Sequence, residues 1–275
     1  MTAEKIRRIA LYSLMVAVVV FFLFPIVWTF LLSIRPTFTN RSIPPTVFFQ
    51  PTIQHYVKAL IDPGLFRGYL FNSLIISGTA TAVATPFAIS AAYALSRYDF
   101  RGRKAISLFY LGLFLGPPVV FLLPFYIQMS NIGWTGTYQS MIIIYQTFAI
   151  PFMVLVIKSF MDEVPISLEE AAQVDGTSRL GALWKITIPL SLPGIVVSAM
   201  FAFVFSWNNA VYPLVLSGQG TRPLPIGTLN LQATSGINWN AIGTSSVITM
   251  LPPMLIFLAL GKYLVRGLTL GATKA

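Results

Sequence analysis

From Ala10 to Ile34 no charged side chain interrupts a run of Leu, Val, Phe and Ile. Five similar runs follow: Tyr69 to Ser96, Ala105 to Met129, Tyr138 to Ile157, Ile186 to Leu216 and Ser245 to Val265, the last with one charge, Lys262, near its end. Crossing a hydrocarbon core roughly 30 Å thick takes about 20 helical residues, and inside it only helices or closed barrels satisfy every backbone N–H and C=O. Alternation of the strand type is absent, so the runs predict six transmembrane helices in an all-α membrane protein. Composition agrees. Charged residues make up 9% of the chain, against about 25% in soluble proteins, and the mean hydropathy is +0.76. The first run is longer than a signal-peptide core, and "LLSIRPTFTNRS" carries no small-residue cleavage pattern, so it is expected to remain as a span.

Six spans put both termini on one side, and the basic residues say which. Thirteen of the 18 Lys and Arg fall on the side of the termini: Lys5, Arg7, Arg8, Arg97, Arg101, Arg103, Lys104, Lys158, Arg179, Lys185, Lys262, Arg266 and Lys274. Arg35, Arg41, Lys58, Arg67 and Arg222 fall on the other. The positive-inside rule then predicts that both termini of this multi-pass membrane protein are cytoplasmic. A net charge of +10 in a soluble protein would suggest nucleic acid, but these residues flank apolar runs and act as topology signals, so no nucleic-acid partner is expected.

Several chemistries are excluded. There is no cysteine, hence no disulfide or thiolate metal site, and the lone His55 has no second ligand near it, so no metal site is expected. No G-x-x-x-x-G-K-[ST] stretch occurs; Gly261-Lys262 is followed by Tyr. The chain thus lacks that nucleotide-binding signature, and no cofactor and no catalytic residue is expected on it. No pair of acids lies within the spans, which disfavours a carrier driven by a proton or sodium gradient.

Pro and Gly interrupt several spans: Pro25, Pro86, Gly116-Pro117-Pro118, Pro193-Gly194 and Pro252-Pro253. Such breaks are tolerated where neighbouring helices or a cavity satisfy the freed carbonyls, and they are common in transporters. Small residues from Ser77 to Ala94 permit close helix contact and predict a bundle.

Five of the eight acidic residues lie between Asp162 and Gly176, in "DEVPISLEEAAQVDG". Ser167 and Glu170 stand at the spacing of a capping box, which predicts a helix from Leu168 to Asp175 that Gly176 ends in a left-handed conformation. Thr177 or Ser178 then caps a second short helix, "RLGALWK". Read locally, this is either a capped, solvated loop helix or a surface offering carboxylates to a basic partner.

The spacing Glu170-Ala171-Ala172, Gly176 four residues after Ala172, then Ile186 and Pro189, resembles the EAA motif of permease subunits of ATP-binding cassette importers. Ile188 stands where that family has Leu, and Asp175 before the Gly fits the carbohydrate-uptake form. "NSLIISGTATAVATPFAISAAYALSRYDFRGRK" and "FSWNNAVYPLVL" are similar to segments of the same importer permeases, and "YLVRGLTLGATKA" is similar to the tail of their MalG-like subunits.

The resemblance implies an importer permease fold. Residues 1–68 would hold an N-terminal segment, the first span and an outer loop, residues 69–267 five spans with the EAA loop at 162–189, and residues 268–275 a cytoplasmic tail. It implies a coupling helix in which Glu169, Glu170, Ala171, Ala172, Asp175 and Gly176 dock on an ATPase. The expected partners are a second, MalF-like permease subunit, a dimer of ATP-binding subunits that holds ATP and Mg, an extracytoplasmic solute-binding protein and membrane lipid.

Amides and aromatics in the spans suit a sugar, oligosaccharide or polyol, whose hydroxyls take hydrogen bonds and whose apolar faces stack on rings. Gln128, Gln146, Trp207, Asn208, Asn209 and Tyr212 are the candidates for that path; interhelical hydrogen bonds would explain the same residues. In the loop from Ser217 to Asn240, Gly218, Gln219, Gly220, Asn230 and Gln232 are candidates for contact with the binding protein, where a plain linker would explain the same composition. The competing functions are import of a non-sugar solute by the same machinery and a gradient-driven carrier or channel.

Overall fold

The computed structural model describes residues 3–36, 48–61, 66–233 and 239–272, and no strand occurs among them. The chain divides into two compact units, residues 1–67 with 227–251, and residues 68–226 with 252–275. Among the described residues five helices are long and apolar enough to cross a membrane, or six if one bent pair counts as a single span.

In the first unit, α1 (Ala3–Ile34) exposes its apolar stretch on every side, as suits lipid or another chain. Its C-terminal end is tied down. The Ser33 hydroxyl pairs with the hydroxyl of Tyr56 on α2 (Gln54–Ile61) at 2.6 Å. Asn240, near the start of α12 (Trp239–Ala272), donates its amide to the carbonyls of Leu32 and Arg35. Gly243 makes that approach possible, because a Cβ there would lie 2.9 Å from the Ser33 nitrogen.

The second unit is built on α3 (Arg67–Arg97), α6 (Tyr138–Glu163) and α9 (Ile188–Asn208). Ala84, Ala88 and Ala92 recur every four residues, so they share one face of α3. All three are fully buried in a cluster that also holds Ala149, Met153, Ile157 and Met161 of α6 and Ala202 of α9. Side chains this small let the helix backbones approach closely, as the run from Ser77 to Ala94 predicts.

The run from Ala105 to Met129 is not one straight helix. It is a pair, α4 (Arg103–Leu115) and α5 (Pro118–Asn131), bent by 94°. A residue before proline is driven into the extended region. Gly116 precedes Pro117 and Pro117 precedes Pro118, and both leave the helix, with ψ of 134° and 131°. Pro118 then opens α5, where its missing N–H costs nothing.

The run from Ile186 to Leu216 is corrected in a similar way. The helix ends at Asn208, Asn209 is extended, and α10 (Val211–Leu216) begins anew. The Asn209 side-chain oxygen accepts from the Tyr212 N–H at 3.1 Å, which satisfies a donor at the start of the new helix. Part of the stretch from Ser217 to Asn240, whose composition a plain linker would also explain, is helical, as α11 (Leu224–Ala233). Leu224 and Ile226 anchor its start by burial, and the Leu224 N–H donates to the Ser73 hydroxyl at 2.8 Å.

Candidate functional site

Between α6 and α9 lies the acid-bearing element. Val164 ends α6 in an extended conformation, as the residue before Pro165 must, and α7 runs from Ile166 to Val174. It starts two residues before the expected Leu168. Pro165 with its fixed φ of −58° holds the N-cap position, and the Leu168 N–H reaches the Pro165 carbonyl at 3.2 Å. Ser167 therefore falls inside the first turn and caps nothing, so the capping box with Glu170 does not form. At the far end the N–H groups of Asp175, Gly176 and Thr177 reach the carbonyls of Ala171, Gln173 and Ala172 at 2.9 to 3.0 Å. Gly176 has φ +88°, the left-handed turn expected there. The Ser178 hydroxyl accepts from the Gly181 N–H at 3.1 Å and opens α8 (Arg179–Ala182). A π-helical turn, Leu183–Thr187, then runs without a break into α9.

The two adjacent glutamates face opposite ways. Glu170 is exposed, whereas Glu169 is 4% exposed and fully engaged. Its Oε1 accepts from Arg97 Nε at 2.7 Å and from the Thr187 hydroxyl at 2.6 Å, and its Oε2 accepts from the Tyr93 hydroxyl at 2.9 Å. Burial alone would raise this carboxyl's pKa. The hydrogen bonds from Thr187, Arg97 and Tyr93, with the Arg97 charge, outweigh burial and hold it below its ordinary 4.5. Arg97 also donates to the Val164 carbonyl at 2.9 Å. The neighbouring Ser96 hydroxyl donates to Asp162, which pairs with Lys158.

Glu169 thus leaves the set of expected docking residues: its carboxylate is committed inside the chain. Glu170, Ala171, Asp175 and Gly176 are exposed and Ala172 is half-buried. Around them lie apolar side chains open to solvent, with Val174 at 88%, Leu180 at 68% and Trp184 at 67% exposure. Exposed apolar side chains and two exposed carboxylates on one short element outside the spans have the character of an interface. Arg97, Tyr93 and Thr187 carry no local sequence signal for this role; Arg97 reads only as one more topology charge.

Of the expected substrate-path residues the structure brings two together. Asn208 and Asn209 line a cavity of about 670 Å³ with Phe114, Phe148, Phe152, Phe201 and Phe205. Trp207 and Tyr212 are 1% exposed and point into the protein, where Trp207 stacks on Phe203 and Tyr212 packs on Tyr145. Gln146 donates to the carbonyls of Ala80 and Ile142, and Gln128 is exposed on α5, away from that cavity. Gln219 and Gly220 are exposed, and Gly218 is held against Gly136 by Thr221, whose hydroxyl donates to the Gly136 carbonyl at 2.9 Å. Asn230 and Gln232 lie on α11, but their side chains fall outside the described residues, as do residues 273–275 of the tail and the side chains of 268–272.

Long apolar helices, several of them broken at Pro or Gly, with a short helix-turn-helix element between α6 and α9, define a polytopic membrane protein. Residues 84–270 match the binding-protein-dependent transport system inner membrane component family, and the chain belongs to it. It is a multi-pass permease subunit, and members of this family are not themselves enzymes. The chain is 33% identical, over 100% of its length and 99% of the relative's, to the trehalose/maltose transport system permease protein MalG of Thermococcus litoralis. It is 30% identical to the trehalose transport system permease protein SugB of Mycobacterium tuberculosis, over 98% of both chains. In fold it is similar to a chain of a bacterial ABC transporter involved in the import of the acidic polysaccharide alginate. That match has a TM-score of 0.77 and 21% identity, and covers 96% of this chain and 98% of the other.

Proposed function

We propose that this chain is one of two permease subunits in an ATP-driven importer that carries a sugar, oligosaccharide or polyol inward by alternating access. The observation that carries the choice of cargo is the end-to-end likeness to a permease named for trehalose and maltose transport. The cavity at Asn208 and Asn209 supports it, since two amides can hydrogen-bond hydroxyls while phenylalanine rings stack on apolar sugar faces. ATP and Mg are held by a dimer of ATP-binding subunits that docks on the outward face of α7 through Glu170, Ala171, Ala172, Asp175 and Gly176. Both termini are cytoplasmic. An extracytoplasmic solute-binding protein delivers the sugar at the opposite face, where Gly218, Gln219 and Gly220, with Asn230 and Gln232 further along, are the contact candidates.

The test is to purify the assembled complex, identify its subunits by mass spectrometry, and reconstitute it in vesicles with the binding protein. Uptake of labelled trehalose or maltose that requires ATP and is not competed by amino acids is the expected result. Uptake of an amino acid alone, or sugar uptake driven by an ion gradient without ATP, overturns the reading.

A further inference from the structure

We infer that Arg97 and Thr187 are positioning residues that carry displacement of α7 into the membrane spans, with the Glu169 carboxylate as the joint. The inference rests on the proposed docking of α7 on an ATPase and adds how that contact reaches the bundle.

With nine residues, α7 is below the length, about 12 to 15 residues, at which an isolated helix becomes even marginally stable, so its position is set by what holds it. Three elements meet at Glu169, namely α7 itself, α3 and the π-helical turn, and Arg97 ties in α6 as a fourth. Arg97 ends α3, bonds Glu169 from its Nε, and reaches the Val164 carbonyl at the end of α6 from a second nitrogen. Tyr93, one turn earlier on α3, bonds the other carboxylate oxygen. Thr187, the last residue of the π-helical turn that runs into α9, is fully buried and shares Oε1 with Arg97. Among the described residues this is the one ion pair with both side chains under a tenth exposed.

Two features make the cluster a joint rather than a general staple. Every partner is a directional donor, and each comes from a different turn, so rotation or sliding of α7 relative to α3 or α9 breaks a hydrogen bond within a buried network. The π-turn inserts an extra residue into the helical ladder, and such turns are frequent at functional positions. Here it ends with the Thr187 hydroxyl against Glu169. A push or pull on the exposed face of α7 is thereby delivered to α3 and α9 together, the two spans whose buried faces meet across α6 in the core.

The experiment uses the complete reconstituted complex and measures ATPase association, ATP hydrolysis stimulated by loaded binding protein, and solute transported per ATP hydrolysed. Thr187→Val and Tyr93→Phe each delete one hydroxyl and keep the ion pair; Thr187→Ser keeps the hydroxyl. We expect Thr187→Val to assemble and bind the ATPase normally while transport per ATP falls about two- to tenfold, the range that loss of one hydrogen bond gives. Thr187→Ser should restore most of it, and Tyr93→Phe should lie between. Wild-type transport per ATP in Thr187→Val overturns the inference, as does a Thr187→Ser variant no better than Thr187→Val, which would make Thr187 a packing residue. Failure of both Thr187→Val and Tyr93→Phe to assemble would make the cluster a folding element and also overturn it. The docking reading is tested apart from this by Glu170→Gln: full ATPase association in that variant counts against docking and leaves the Thr187 result to be read on its own.

Discussion

Arg97 Nε lies 2.7 Å from Glu169 Oε1, and the two side chains are 7% and 5% exposed. A surface pair would contribute little, but breaking a buried pair leaves an uncompensated charge, which costs about 3 to 5 kcal/mol. Arg97→Ala is therefore expected to destabilise the second unit by that amount. Combining it with Glu169→Gln should recover much of the loss. A double-mutant cycle of denaturant unfolding in detergent reads this out, and additive losses would contradict it.

The same pair sets a pH dependence. Because the folded carboxyl titrates below its ordinary 4.5, its stabilising contribution is complete above about that pH and is lost as pH falls through the lower, folded value. Wild-type thermal stability in detergent should drop more steeply below pH 4.5 than that of Glu169→Gln, which has no carboxyl to titrate. Parallel curves for the two would contradict the assignment of an ionised Glu169.

Gly176 separates backbone from contact effects. With φ at +88° and nothing within 4 Å of where a Cβ would stand, a side chain there meets no clash, only the cost of the left-handed conformation. That cost is roughly 1 to 2 kcal/mol for an ordinary residue and higher for a β-branched one, whereas Asn tolerates the region. Gly176→Val should shift α8 relative to α7 and weaken ATPase association, and Gly176→Asn should keep most of it. Equal binding by the two variants in pull-down from reconstituted vesicles would contradict this account of the turn.

How much of this is legible in the sequence depends on the range of the interaction that decides it. The long apolar runs mark their spans because a hydrocarbon core accepts little else, and the turn at Gly176 is a local matter of one left-handed residue. The break at Gly116-Pro117-Pro118 is visible as chemistry, but its 94° angle is not, since packing sets the angle. Glu169 and Glu170 are chemically identical neighbours. Which one turns inward is decided by Arg97, 72 residues away, and no local pattern encodes that choice. Trp207 and Tyr212 suit a sugar path by their chemistry; the helix phase instead points them at Phe203 and Tyr145.

The charge asymmetry across the spans predicts orientation. Reporters fused after Arg103 and Asp175 should be cytoplasmic, and those after Tyr56 and Gln232 external, as the excess of Lys and Arg on the side of the termini requires. Alkaline phosphatase and fluorescent-protein fusions, which are active on opposite sides, measure it. An external Asp175 would remove any route for ATPase docking.

The most direct test of the central claim, that the outward face of α7 meets the ATPase, exploits the absence of cysteine from the chain. Val174→Cys places a single thiol at a position that is 88% exposed beside Glu170, and Leu258→Cys places one at a position 71% exposed on α12 as the control. Each is labelled with a short photo-activated cross-linker in the assembled complex. A covalent adduct between the permease and the ATP-binding subunit is expected from Val174→Cys and none from Leu258→Cys. Full labelling of Val174→Cys in an intact complex with no adduct to the ATP-binding subunit would contradict it.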